Sequence, residues 1–433
     1  MISKLSLAAF ASLVVATASC DKTTKVAPDA PTSPQQHTTP AASAPMPSTE
    51  LTTKLASSAN ALGFDIYGRA RTTAGNLAIS PASLSAALVM TFGGARGETE
   101  AQMKRVLHLD GSRDTLTTDW GKLSRGLASP GRPLTLRIAN RLFGEKTVTF
   151  ERPFVDKTGA DFGAPLEPND FKNAFEPARA HINGWVEDQT EHRIKELLPP
   201  GALDKLTRLV LVNAIYFLAD WAEPFEKTAT YDATFEVAAG SSKKTPMMHA
   251  GGSHRFTQSD GVKVLELPYK GGDASMLFIL PDKKDGLADV ETALTAAKLD
   301  KWRAALASQS VAISLPRFEV SPTPSMSLAE DLKALGMPDA FDREKADFTG
   351  MSNPADHRER LKIDKVFHKA FVKVDEKGTE AAAATAVVMA KGGGPPPAPA
   401  QEFNADHPFV YAIVDNASGL VLFLGRVADP TTR

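Results

Sequence analysis

Residues 5–15 form an apolar run behind a single charge at Lys4 and end in small residues, the layout of an export leader. The run falls short of the roughly 20 apolar residues that a membrane-spanning helix needs. From 21 to 48 the apolar pattern gives way to Pro, Ala, Ser and Thr. Such a segment cannot bury enough surface to fold and reads as an extended tether. A folded-domain pattern runs from 49 to 433. Ser80-Pro81 is a helix start signal, and a helix is predicted through residues 82–90. Residues 208–217 are apolar on both faces and rich in branched side chains, which predicts a central strand covered on both sides. Further strands are predicted at 262–267, 275–280, 311–315, 369–374, 409–414 and 421–427. No repeat recurs at 20 to 50 residues, so the pattern predicts one domain of α+β class built on a large mixed sheet.

With 433 residues, 42% of them hydrophobic, the chain can build a full core. Its 49 basic and 51 acidic residues leave a charge of -2. That balance lacks the basic footprint of a nucleic-acid binder or a polybasic membrane-surface protein, so no nucleic-acid partner is expected. Cys20 is the single cysteine, which excludes an intrachain disulfide, a CxxC pair and a Cys-rich zinc site. It follows Thr17-Ala18-Ser19, and this resembles the lipobox of bacterial lipoproteins, in which the cysteine carries the lipid. Ala16-Thr17-Ala18 also reads as a cleavage site that would release a soluble protein. The expected layout is therefore a leader at 1–19, a lipidated Cys20 with its tether at 20–48, and a domain at 49–433. Its expected location is outside the cytoplasm, held by lipid at a bacterial cell envelope, or secreted if Cys20 is unmodified.

The usual catalytic marks are absent: no GxSxG, HExxH, GxxxxGK or GxGxxG. His249 and His254 stand five apart and share no helix face, so neither a metal site nor a cofactor is expected. The informative stretch is Glu376-Lys377-Gly378-Thr379-Glu380-Ala381-Ala382-Ala383-Ala384-Thr385-Ala386-Val387-Val388-Met389-Ala390, followed by Lys391, three glycines and three prolines. Alanine content alone would suit a surface helix. At period two, however, Thr379, Ala381, Ala383, Thr385, Val387 and Met389 make one uncharged face, while Glu380 falls on the other. Such a loop can become a strand, because nothing on its inward face demands solvation.

Motifs in order along the domain then point one way. Asn76-Leu77-Ala78-Ile79-Ser80-Pro81 and Gly93-Gly94-Ala95-Arg96-Gly97-Glu98-Thr99 come first, followed by Ile182-Asn183-Gly184-Trp185 and Leu211-Val212-Asn213-Ala214-Ile215-Tyr216-Phe217 with Trp221 and Phe225. Glu266-Leu267-Pro268-Tyr269, Leu315-Pro316-Arg317-Phe318, Lys365-Val366-Phe367-His368-Lys369-Ala370, Asp406-His407-Pro408-Phe409 and Gly425-Arg426-Val427 complete the series. From about residue 54 to 429 the chain resembles the serpins. Leu218-Ala219, where the family usually has Lys-Gly, and Asp364, where Ser is common, are departures.

The resemblance implies a protease inhibitor rather than an enzyme, a monomer whose partner is a target serine protease. In this family a cut reactive loop, here about 376–402, inserts its first half into the main sheet and carries the acylated protease with it. A family member that does not inhibit but acts as a binding or chaperone-like protein is the alternative reading; small hinge residues favour inhibition. A hydrolase using Ser80 or Ser83 with His368 fails for want of a nucleophile turn. The family's sheet-opening cluster maps onto Ser80, Ser83, Asn213 and His368, with Trp221 beneath the point where insertion begins. Its spacing, counted from Glu376, puts the specificity residue at Gly392. Lys391 would suit a trypsin-like pocket, and Met389 or Ala390 an elastase- or subtilisin-like one.

Overall fold

The computed structural model describes residues 49–380 and 401–432. Its first half is mostly helical: α1 (Thr49–Ala70), β1 (Leu77–Ile79), α2 (Pro81–Phe92), α3 (Gly97–Val106), α4 (Arg113–Leu127), β2 (Thr135–Glu145), α5 (Arg152–Phe162), β3 (Leu166–Asn169) and α6 (Phe171–Gln189). Strands then dominate: β4 (Leu209–Asp220), β5 (Thr230–Ala238), β6 (Ser241–Ser259), β7 (Val262–Pro268), β8 (Ala274–Pro281), α7 (Leu287–Ala293), α8 (Ala296–Ala305), β9 (Ala307–Pro316), β10 (Phe318–Val320), β11 (Met326–Ser327) and α9 (Ala329–Leu335). The last strands are β12 (Phe367–His368), β13 (Val372–Val374), β14 (Gly378–Thr379), β15 (Gln401–Asn404), β16 (Phe409–Asp415) and β17 (Val421–Val427).

Among the described residues the strands form two large sheets. One runs β1-β17-β16-β8-β7-β6-β9-β15, with β5 paired to β6; the other, which carries the site, runs β10-β13-β14-β4-β2-β3. The class is α+β with a large mixed sheet, as the pattern predicted. β4 pairs antiparallel with β2 from Leu209 opposite Gly144 to Leu218 opposite Thr135. Its branched side chains are covered on both faces. On one face lies α2, which starts where Ser80 accepts the Ser83 N–H and Pro81 fills a first-turn position that needs no donor. On the other, α6 covers a separate apolar cluster that joins Phe143, Ile182, Val186, Leu197 and Val212. The start of α6 is fixed by the fully buried Glu145, whose carboxylate accepts the N–H groups of Phe171 (2.8 Å) and Lys172 (3.1 Å). Free N–H groups and the helix dipole both favour a negative charge there.

One expectation needs correction, and one long strand was not expected. The strand expected at 369–374 is paired only from Val372 to Val374 among the described residues, because its neighbour β10 is three residues long. Lys369 is buried and gives its ammonium to the Lys195 carbonyl at 3.0 Å. The 19-residue β6 went unanticipated: many of its side chains face solvent, and its His, Ser and Gly content weakens the strand pattern.

Candidate functional site

β14 is two residues long and stands between β13 and β4. Gly378 lies opposite Asp220, Thr379 opposite Ala219, and Thr379 also opposite Val374 on β13. Among the described residues, no strand pairs with β4 on this side from Leu209 to Leu218. The central strand thus offers a row of backbone donors and acceptors along an internal edge. A cavity of about 100 Å³ lies at the far end of that edge, lined by Leu209, Val210, Leu211 and Val212 on one side and by residues 361–368 on the other.

The turn leading into β14 is held at many points. The Trp221 and Phe225 N–H groups donate to the Lys377 and Glu376 carbonyls at 2.7 and 2.8 Å, and Trp221 Nε1 donates to the Asp375 carbonyl at 3.0 Å. Trp221 stacks on Tyr269 at 4.6 Å, and the Tyr269 hydroxyl is joined to the Thr379 hydroxyl by a 2.5 Å hydrogen bond. Glu376 is buried and accepts from Arg317 Nε at 2.7 Å and from the Thr230 hydroxyl at 2.6 Å. Burial alone would raise its pKa, but the guanidinium and the hydroxyl outweigh burial and hold it below the usual range. Gly378 has no substitute here. A Cβ would come within 2.1 Å of the Ala219 carbonyl oxygen.

Glu380 differs from Glu376. It is buried, one oxygen takes Arg193 Nε, and the other has no partner. Burial raises its pKa against the pull of Arg193. With φ at 52° it lies in the left-handed region, and this turns the backbone out of the strand directly after Thr379.

Ser80, Ser83 and His368 meet at the other end of the slot, where Ser83 and His368 help line the cavity. His368 Nε2 accepts the Ser80 N–H at 3.0 Å, and the Ser80 hydroxyl donates to the Leu422 carbonyl at 2.6 Å. Neither interaction activates a nucleophile. The backbone of Asn213 lies in mid-β4 opposite Asn140. Trp221 is not in this group: it sits past the end of β4, under the hinge, some eight residues or about 26 Å of strand from Asn213. Ala381, Ala382, Ala383, Ala384, Thr385, Met389, Ala390, Lys391, Gly392 and Cys20 fall outside the described residues. Sequence reasoning gave no role to Arg317 or Tyr269, although both stand in quoted motifs, and missed Arg193 and Thr230, which carry no local signal.

The family described as serpin (serine protease inhibitor) matches residues 57–430. The chain is 43% identical to a leukocyte elastase inhibitor of Equus caballus over 364 residues, 82% of this chain and 93% of that protein. It is 41% identical to the leukocyte elastase inhibitor of Homo sapiens, at 82% and 94% coverage, and 40% identical to serpin B6 of Pongo abelii, at 82% and 93%. Similar solved structures include human thyroxine-binding globulin with thyroxine (TM-score 0.79, 29% identity, 88% of this chain and 100% of that one). Uncleaved ovalbumin is another (0.77, 28%, 87% and 100%). This chain belongs to the serpins, and it is a protease inhibitor rather than an enzyme.

Burial holds the His368 imidazole at about 4, below its ordinary 6.5, so the folded protein keeps it neutral. The unfolded chain takes up that proton near pH 6.5. The stability that neutral His368 contributes is therefore complete above pH 6.5 and lost as pH falls from 6.5 to 4, on the order of 3 kcal/mol. The thermal midpoint is expected to drop across that window in the parent protein. In His368→Gln the same scan should be flatter; an equal slope would remove His368 as the cause.

Proposed function

We propose that the chain traps serine proteases by inserting its cleaved loop along the open edge of β4. The observation that carries this is β14, two rungs of strand already seated between β13 and β4. Continuing its register puts Ala381 opposite Phe217, Thr385 opposite Asn213 and Met389 opposite Leu209. Those nine residues make a strand of about 30 Å. Thr379 faces Tyr269 in the core, so Ala381, Ala383, Thr385, Val387 and Met389 share that side, with Met389 at the basal cavity. Small side chains enter first and larger ones fill the wider end. The native fold is then kinetically trapped, with the inserted form lower in free energy. The similarity to a thyroxine-binding serpin keeps a non-inhibitory binding role as the second reading, and the uncharged inserting face argues against it.

The Lys391-Gly392 bond suits a trypsin-like target; a bond after Met389 or Ala390 suits an elastase- or subtilisin-like one, which the names of the relatives support. The segments before the domain support export, with lipid on Cys20 anchoring a monomer at a bacterial envelope, or secretion without it. Incubation with trypsin and with elastase should give a complex that survives denaturing electrophoresis. Mass spectrometry of the released carboxyl-side fragment locates the bond, and a start at Gly392 selects the trypsin-like class. Clean cleavage without any complex would favour the non-inhibitory reading.

In Thr379→Arg a cation must be desolvated against Tyr269 at a cost of several kcal/mol. That variant should be cut at the same bond yet form little complex, and undiminished complex would refute the register. Cys20→Ala should move the protein from the membrane fraction to the soluble one, or block its processing; unchanged membrane fractionation would count against lipidation.

A further inference from the structure

The chain between α6 and β4 crosses the slot as a strap, and its bonds reach both banks and the hinge. Glu191 accepts from Arg137 of β2 at 2.5 Å, the Lys195 carbonyl accepts from Lys369 at 3.0 Å, and the Leu197 carbonyl accepts from the Ser325 hydroxyl at 2.7 Å. Glu191, His192 and Glu196 all have left-handed backbones, which fold the strap tightly around residue 193. Arg193 lies over the Phe371 ring at 5.7 Å and gives its Nε to Glu380. The pair is unequal in exposure: the arginine side chain is 43% accessible and the carboxylate 7%. The strap therefore grips the hinge at the first residue beyond the two seated rungs, where the Glu380 N–H still donates to the Lys373 carbonyl at 3.0 Å.

We propose that Arg193 is a positioning residue for inhibition: by holding Glu380 to the strap it keeps Gly378 and Thr379 docked in the uncleaved protein, so that insertion starts from formed rungs. This rests on the loop-insertion reading. Strand insertion competes with deacylation of the protease, and its slowest part is ordering the first residues before later contacts repay the lost chain entropy. A docked hinge has that ordering behind it when the bond is cut. Glu380 is suited to the grip because its side chain meets Arg193 on the strap while the preceding Thr379 faces Tyr269 in the core.

The test compares the full chain with Arg193→Ala, Arg193→Lys and Glu380→Ala. Hydrogen–deuterium exchange at residues 378–380 of the uncleaved protein should speed up by about tenfold in Arg193→Ala and Glu380→Ala, the scale of a lost charge-assisted bond. The double variant should exchange no faster than either single one, and Arg193→Lys should fall between parent and alanine. In parallel, the moles of inhibitor consumed per mole of protease trapped should rise several-fold in both alanine variants. The melting temperature of the loop-cleaved form should hold, which excludes a general loss of structure. Unchanged exchange overturns the docking role; faster exchange with unchanged partitioning overturns the link to inhibition. A parent that traps no protease sinks the insertion reading itself, whereas a parent and Arg193→Ala that trap equally well sink this proposal alone.

Discussion

The internal edge of β4 is the constraint around which the rest of the site is arranged. A central strand needs partners for its backbone groups, and only the rungs at Ala219 and Asp220 are paired on that side among the described residues. A protein fold ordinarily hides or pairs such an edge. Here α2 packs on one face of the sheet, α6 packs on the other, and β13 stands beyond β14, so the upper end of the gap holds a short piece of strand. The hinge contacts, the buried histidine and the basal cavity all take their meaning from that geometry.

Keeping such an edge requires that the two ends of the slot be controlled separately. At the hinge end the control is electrostatic and aromatic: Arg317 with Glu376, Arg193 with Glu380, and the Trp221–Tyr269 stack. At the basal end the buried contact is the neutral imidazole of His368 against the Ser80 amide, beside a lining that mixes leucines and valines of α2 and β4 with the Lys362–Asp364 ion pair. The division follows from solvent access. Arg193 and Arg317 are each more than two-fifths exposed, so water reaches their outer faces while the carboxylates they hold are buried, whereas the buried His368 is kept neutral.

Much of the architecture is legible in the sequence, and the exceptions have physical causes. Residues 208–217 announce a doubly covered strand because both faces are apolar, and Ser80-Pro81 announces a helix because capping chemistry is local. The small, period-two face of the hinge is visible in the sequence, but of its residues only Thr379 lies among those the structure describes. Arg193 is unreadable: it owes its role to a carboxylate 187 residues away and to a turn built from left-handed Glu and His residues, for which no short-range rule exists. The brevity of β13 is equally hidden, since strand length depends on the partner's length as well as on the strand's own side chains.

The indole of Trp221 is one of four in the chain. It lies nearly coplanar with Tyr269, 8° from parallel, and is hydrogen-bonded to the turn that leads into β14. Movement of the hinge would change the surroundings of this indole directly, while Trp120 and Trp302 lie buried elsewhere in the core and Trp185 packs on Phe143 and Arg141. The molecule thus carries an indole placed against the hinge, so that any unseating of β14 would be legible in unlabelled protein by light alone.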